Sequence, residues 1–452
     1  MSPSNVSLRA LAMAALVAGL AALPACAQAK AATRPKVVVI SLDAFGARSL
    51  QEPDLPAPTL HALMRQGVHA VSMQPINPTI TWPNHTSMVT GVDASRHHVL
   101  VNGLIVDQRG ATPPRIDMKA PKSQLVAVPT VYDAAHAAGL VTAEVDWVAV
   151  MDAPTITWRF PENPDPDGAI EQDLVRQGTL TRDELVHFGR PSQAWRDLMY
   201  TRAAVDIIRK HHPDLMLLHL LALDSIEHET GYGNNAGRNT IAFLDDRVKE
   251  VVDAVRAAGE LDNTTFIVVS DHGQQSVRLL LNPNVPLRDA GLQSDGASQP
   301  AFAIPEGGFA LVFQKNATDA SRQALKQLFE GKAGIRAALT PDEAAKQGWP
   351  VPATSNQAPD LLLYAADDYE FDDKNATQYD APTLEVGAHG YPNTDPLMQA
   401  IFIAAGAGIR GKGVEIPAFP NVDIAPTIAR LLHIKFDGVQ GRPLTGILTP
   451  GR

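Results

Sequence analysis

Four short fragments of this chain concentrate side chains that bind metals. They are Asp43 after an apolar run, Asp224 and His228 in Asp224-Ser-Ile-Glu-His228, Asp271-His272, and His389 in His389-Gly-Tyr391. Between the first two lies Thr79-Ile-Thr81-Trp-Pro-Asn-His85. Each alone has a plainer explanation. Asp224 and His228, four apart, share one face of a helical turn, which suits one ion but equally a surface ion pair. Asp271-His272 also reads as a turn with a capping aspartate, and His389 as a loop histidine. Together, and in this order, they describe a two-metal site for attack at phosphorus. One ion lowers the pKa of a nucleophile, the other stabilises the leaving oxygen, and both draw charge from the non-bridging oxygens. Histidine with carboxylate favours two Zn2+ over magnesium or calcium, with manganese and iron left open.

Thr81 is the candidate nucleophile. A threonine hydroxyl is nearly inert at neutral pH, so it needs a metal or a base. Pro83 fits the first turn of a helix running through Thr86, Met88 and Val89 to Gly91. Thr81 then sits at an amino terminus, where the dipole and free N–H groups favour an alkoxide or a phosphate. The competing readings are that Thr81 is only the N-cap, or that Thr79 attacks instead. Asn102, in Leu100-Val-Asn-Gly103, offers a neutral amide donor to a phosphate oxygen; a turn asparagine before glycine is the alternative.

These residues need a scaffold. Lys36–Leu42, Leu215–Leu221, Thr265–Ser270 and Ala400–Ala404 read as buried parallel strands, being continuous apolar runs; chemistry follows the first three, and the fourth comes shortly after His389. Helical patterns alternate with them. Ser192 to Lys210 carries Trp195, Leu198, Met199 and Ile208 on one side. Ile241, Leu244, Val248, Val251, Val252 and Val255 form an apolar stripe. The expected fold is therefore α/β, a doubly wound, mostly parallel sheet, whose ligands bind beyond the carboxyl ends of the strands. Residues 34–275 would form the first part of a catalytic core and 386–452 the last. Residues 276–385, rich in Pro, Gly, Asn and Asp, read as an inserted subdomain or cap. Gly110 to Lys122 and Pro161 to Gly168 read as loops.

The 452 residues, 45% hydrophobic, suffice for one large domain with an insertion. A net charge of −11 excludes general binding along nucleic-acid backbones. Residues 1–29 read as an export signal: Arg9, an apolar Leu11 to Leu23 too short to span a bilayer, then small residues at Ala25-Cys-Ala27 and Ala27-Gln-Ala29. The expected location is periplasmic or secreted. Leu23-Pro-Ala-Cys26 also resembles a lipoprotein box, so membrane attachment would require lipidation of Cys26. As the only cysteine, Cys26 leaves the mature chain without an internal disulfide.

Thr81-Trp-Pro-Asn-His85, with Val89-Thr-Gly91 after it, resembles the Thr-Phe-Pro-Asn-His segment of the nucleotide pyrophosphatase/phosphodiesterase branch of the alkaline phosphatase superfamily. Gly387-Ala-His-Gly-Tyr391 with Met398-Gln-Ala-Ile-Phe402 is similar to that family's last metal motif. The resemblance runs from Lys36 to about Leu432 and matches the insertion poorly. It implies an alkaline-phosphatase-like fold. It implies one zinc on Asp224, His228 and His389, and another on Asp43, Asp271 and His272 with Thr81 as the attacking ligand. Asn102 would contact the phosphoryl oxygen, and a phospho-threonine would form and be hydrolysed. The chain departs from the family at Trp82 (usually Phe), Thr86 (commonly Tyr) and Glu227 (often Gly).

The expected function is an exported phosphodiesterase or nucleotide pyrophosphatase acting on a small, nucleotide-like phosphate ester. A phosphomonoesterase on the same scaffold is the closest rival, and a phosphonate hydrolase is further off. A diesterase needs an apolar or aromatic wall, which Trp82 suits. A monoesterase needs extra positive charge, for which Arg159 is the candidate. A non-catalytic exported binding protein is the alternative of a different class, and an intact Thr81 with a complete ligand set argues against it.

Overall fold

Residues 36–42 form a strand, β1 (Lys36–Leu42), with all seven residues buried. Val38, Ile40 and Leu42 join one apolar cluster, and Val37 and Val39 join another. Successive strand side chains point to opposite faces, so a strand covered on both faces must be apolar throughout. The other strands of this sheet are β2 (Val68–Ala70), β3 (Thr142–Val145), β4 (Trp158–Phe160), β5 (Leu215–Leu220), β6 (Thr264–Val269), β7 (Phe402–Gly406) and β8 (Val414–Ile416). Their spatial order is β8-β2-β7-β6-β1-β5-β3-β4. This computed structural model describes residues 34–294, 296–373 and 377–450. The export signal expected over residues 1–29, and Cys26, fall outside the described residues.

The sheet is mostly parallel: β6, β1, β5, β3 and β4 run the same way. One strand differs from expectation. β7 pairs antiparallel with both β6 and β2. A buried apolar run can pair in either direction, so composition does not encode this.

Helices cover both faces. α1 (Thr81–Thr90) lies on one, where Met88 and Val89 meet Ile424 and Ile428. α2 (Gln193–His211) and α4 (Asn235–Ala257) lie on the other, with α3 (Ala222–Thr230) between them in sequence. Ser192 caps α2 by accepting from the Trp195 N–H, and the six-residue stripe expected on α4 is buried. Gly91 ends α1 at φ 69°, a left-handed position that glycine adopts without strain.

From Arg34 onward the chain forms one compact unit. Residues 276–385 contribute two small sheets. In one, Ala301–Glu306 and Phe309–Gln314 make an antiparallel hairpin, extended by Leu361–Ala365 and Ile335–Leu339. In the other, Gln275–Leu281 pairs with Asp380–Ala388, so the boundaries drawn from sequence fall inside paired strands. Gly110 to Lys122 is not wholly loop, since Arg115–Asp117 pairs with Leu104–Val106. Among the described residues no helix is long and apolar enough to cross a membrane.

Candidate metal centre

β6, β1 and β5 are adjacent, parallel and in register, with Leu42 opposite Leu220 and Ser41 opposite Val269. Their carboxyl ends therefore lie side by side. Asp271, Asp43 and the Asp224 turn follow those ends, so three acidic residues distant in sequence meet at one edge. His389 comes from the insertion side, just after Asp380–Ala388. Its loop is pinned to the core: Gly390 N–H donates to the Thr79 carbonyl at 3.0 Å, and Gly308 N–H donates to the His389 carbonyl at 2.7 Å. Gly390 has φ 93°, and a Cβ there would stand 2.8 Å from the Glu306 carbonyl oxygen. Only glycine fits that approach.

The ligand atoms fall into two groups of three, Asp43/Asp271/His272 and Asp224/His228/His389, each spanning no more than 4.8 Å. This grouping matches the division implied by the resemblance. In the first group, His272 Nε2 lies 3.4 Å from Asp43 Oδ1 and 3.3 Å from Asp271 Oδ2. Those three atoms are buried without hydrogen-bond partners. The opposite atom of each side chain is engaged. Asp43 Oδ2 meets His219 Nε2 at 3.0 Å. Asp271 Oδ1 accepts from His272 N–H at 3.0 Å, and His272 Nδ1 donates to the Gly273 carbonyl at 3.1 Å. Each side chain is thus anchored by one atom and open at the other, as an ion-binding set requires.

In the second group, His228 Nε2 is 3.2 Å and His389 Nε2 3.7 Å from Asp224 Oδ1, itself buried without a hydrogen-bond partner. His228 Nδ1 donates to the Gly387 carbonyl at 2.8 Å, fixing the ring with Nε2 inward.

Electrostatics point the same way. Burial, then Asp271 and Asp224, holds Asp43 well above the usual carboxylate range. Burial opposes ionisation of Asp224, but His228 and His389 overcome it and hold Asp224 below that range. Burial opposes charging of His228 too, and Asp224 prevails, raising it to about 9. Burial, then His272, holds His389 well below the imidazole range. Two fully buried acids, Asp43 and Asp271, with the partly buried Asp224 beside them, are unfavourable without cations, so the donor set fits bound metal.

Thr81 is the first residue of α1, and Ile80 occupies the N-cap position without a side-chain cap. The N-cap reading of Thr81 therefore does not hold. His85, one turn on, bonds the Thr81 carbonyl through Nδ1 at 2.9 Å and lies 3.6 Å from Asp271 Oδ2, which ties the start of α1 to the first ligand group. Thr79 uses its hydroxyl on the Tyr391 carbonyl at 2.6 Å. Asn102 Oδ1 accepts from the Trp82 N–H at 3.0 Å, so it caps α1 from twenty residues away. Glu227 is buried, and its Oε1 accepts from Gly233 N–H, turned towards the start of α4. Burial raises it to about 8.

His219 and His85 have no role in the sequence reading beyond His85's place in the motif. Their rings lie 4.2 Å apart, and His85 meets the Trp147 edge at 4.7 Å. Burial holds both imidazoles down at about 3. The available signal was a histidine interrupting the apolar run of β5. Beside α1 a cavity of about 410 Å³ opens, walled by Trp82, Trp147, Trp158 and Met118. Arg159 also lines it, but its guanidinium donates to the Ala153 carbonyl at 2.8 Å.

A sequence model described as type I phosphodiesterase/nucleotide pyrophosphatase matches residues 37–392. Ectonucleotide pyrophosphatase/phosphodiesterase family member 7 of Rattus norvegicus is 23% identical, covering 96% of this chain and 92% of its own. A pyrophosphatase/phosphodiesterase of Schizosaccharomyces pombe is 23% identical over 88% of this chain and 77% of its own. Venom phosphodiesterase of Naja atra is 21% identical, over 91% of this chain but 46% of its own. Among solved structures, murine ectonucleotide pyrophosphatase/phosphodiesterase 5, as an inactive threonine-to-alanine variant with AMP, superposes at a TM-score of 0.71. It is 17% identical and covers 92% of this chain and all of its own, which shows a shared fold.

Proposed function

The chain belongs to the type I phosphodiesterase/nucleotide pyrophosphatase family of phosphoric ester hydrolases, and from that premise we propose that it is an exported two-zinc phosphodiesterase cleaving nucleotide-like diesters through a phospho-threonine at Thr81. The observation carrying this reading is the Asp43/Asp271/His272 group, whose facing atoms are buried without hydrogen-bond partners while their outer atoms are anchored, beside a second group of Asp224, His228 and His389. Asp224, His228 and His389 would hold one ion, and Asp43, Asp271 and His272 the other. Bound zinc would supply Lewis acidity to the phosphoryl oxygens, the nucleophile and the leaving group.

The chain's own residues do the rest. The Thr81 hydroxyl gives its proton to solvent as its oxygen attacks phosphorus in line with the leaving oxygen; that P–O bond breaks as the Thr81–O–P bond forms, and the leaving oxygen takes a proton from solvent. The α1 amino terminus, with its dipole and exposed N–H groups, favours negative charge at that point. Asn102, whose Oδ1 is committed to Trp82, has its Nδ2 hydrogens to give to a non-bridging oxygen. Water then hydrolyses the phospho-threonine and regenerates Thr81.

The cavity beside Trp82 favours diester over monoester. Its three indoles suit the flat or apolar second ester group that a monoester lacks. Arg159, the one guanidinium on its wall among the described residues, is held by a backbone carbonyl and faces the field of Glu144 and Glu171. A neighbour of the same fold is described with AMP, which accords with a nucleotide-like ligand. Export rests on residues 1–29, and lipidation of Cys26 would add a membrane anchor.

The test compares zinc-loaded protein on an aryl monoester, an aryl diester and a nucleotide pyrophosphate, alongside metal analysis. We expect about two zinc ions per chain and higher kcat/KM on the latter two substrates. A monoester preference would replace this reading with a phosphomonoesterase, and absence of bound metal in active protein would sink the two-ion mechanism.

A further inference from the structure

We infer that His219 is a positioning residue that sets the Asp43 carboxylate for the ion of the Asp43/Asp271/His272 group. This rests on the two-ion reading above but concerns a residue outside both ligand groups. His219 is buried in β5, opposite Ser41 of β1, two residues before Asp43. Its ring spans two acceptors. Nδ1 lies 3.1 Å from the Asp146 carbonyl oxygen, which can only accept, so Nδ1 carries a hydrogen. Nε2 lies 3.0 Å from Asp43 Oδ2, and one proton is shared across that contact.

The consequence is directional. With Oδ2 held by His219, the other oxygen, Oδ1, is left without a hydrogen-bond partner and faces His272 Nε2 at 3.4 Å. His85 packs on the His219 ring from one side, and Trp147 in turn backs His85, so neither imidazole has room to swing. Asp146 anchors the far end from a positive φ of 55° just after β3. The ligand oxygen is therefore oriented from a neighbouring strand, and a buried carboxylate held in one rotamer gives up less freedom when it binds an ion.

The two ring nitrogens separate this role from a merely structural one. Asparagine reproduces the Nδ1 donor to Asp146 but does not reach Asp43, whereas glutamine places a hydrogen-bonding amide at the Nε2 position, within reach of Asp43 Oδ2. Zinc affinity of full-length wild type, His219→Asn and His219→Gln is measured by competition with a chelator, together with melting of the metal-free proteins. We expect His219→Asn to weaken one of the two zinc equivalents by about 10- to 100-fold and leave the other unchanged. His219→Gln should keep both close to wild type, and the metal-free melting temperatures should not follow the same order. Unchanged zinc binding in His219→Asn would overturn the inference, as would a loss in His219→Gln equal to that in His219→Asn. Wild type that binds no zinc would instead defeat the two-ion reading on which it stands.

Discussion

The imidazole rings of His272 and His389 stack with centroids 4.0 Å apart and planes within 22°. They belong to different ligand groups and arrive from opposite sides of the insertion, so the two groups meet at this contact. Removing metal should therefore loosen both the core and the insertion's attachment to it. Dialysis against chelator is expected to lower the melting temperature by several degrees, and two equivalents of zinc should restore it. Binding at 1,000-fold over Kd contributes about 4 kcal/mol. Calorimetric scans with and without zinc check this, and identical melting in both states would contradict it.

Thr81 and Thr79 are two residues apart, but only Thr81 begins the helix. Thr81→Ala is expected to lower kcat by at least about 10³-fold with zinc content unchanged, and Thr81→Ser to keep part of it. Thr79→Ala removes the 2.6 Å hydrogen bond to the buried Tyr391 carbonyl, so it should reduce stability by about 1–3 kcal/mol and leave kcat within a few-fold. Single-turnover kinetics with parallel metal analysis distinguish the two. A large kcat loss in Thr79→Ala but not in Thr81→Ala would reassign the nucleophile.

Asn102 combines two duties that substitution can part. Its Oδ1 caps α1, and its Nδ2 is the donor proposed for the phosphate. Asn102→Asp keeps the acceptor for Trp82 N–H and loses the donor. We expect near-wild-type melting and a kcat lower by about 10²- to 10³-fold. Asn102→Ala should lose both, with an added destabilisation of about 1 kcal/mol. Chemical denaturation and steady-state rates on one diester substrate read the two effects separately. Full activity in Asn102→Asp would leave Asn102 with the capping role alone.

Most of the candidate ligands were readable from sequence because they follow a strand end or repeat at a helical interval, while His389 stood out only through the joint pattern and the family resemblance. Asp43 and Asp271 come just after buried apolar runs, and His228 lies one turn beyond Asp224 in α3. The supporting contacts were not readable. His219 sits inside an apolar run, and its partner Asp43 is 176 residues away, so only the β1–β5 register reveals the pair. Asn102 reads equally as a turn residue or a donor, because its bond to Trp82 N–H depends on where the chain returns. The direction of β7 was hidden for a different reason: Phe402, Ile403 and Ala404 bury the same surface whichever way they run. In residues 276–385, abundant Pro and Gly obscured a hairpin whose turn, Gly307-Gly308, is packed against the His389 loop.

Glu144 offers a pH test away from the ligands. It is buried in β3, accepts from the Trp147 N–H at 3.1 Å, and lines the cavity beside Trp82. Burial raises it from 4.5 to about 7, against the opposing pull of Arg159, with Glu171 adding to the rise. In the unfolded chain the carboxyl loses its proton near the ordinary value. Between these two pH values the folded protein holds a proton that the unfolded chain has released. Its contribution to stability is thus complete below about pH 4.5 and is lost as pH rises through 7, at about 1.4 kcal/mol per unit within the window. Glu144→Gln cannot ionise and keeps an oxygen for Trp147. The wild-type melting temperature should therefore fall relative to the variant's between pH 5 and 7.5, and the two curves should run parallel above that range. Thermal melts across the range measure the difference directly, and parallel curves throughout would mean that Glu144 is already ionised in the folded protein at pH 5.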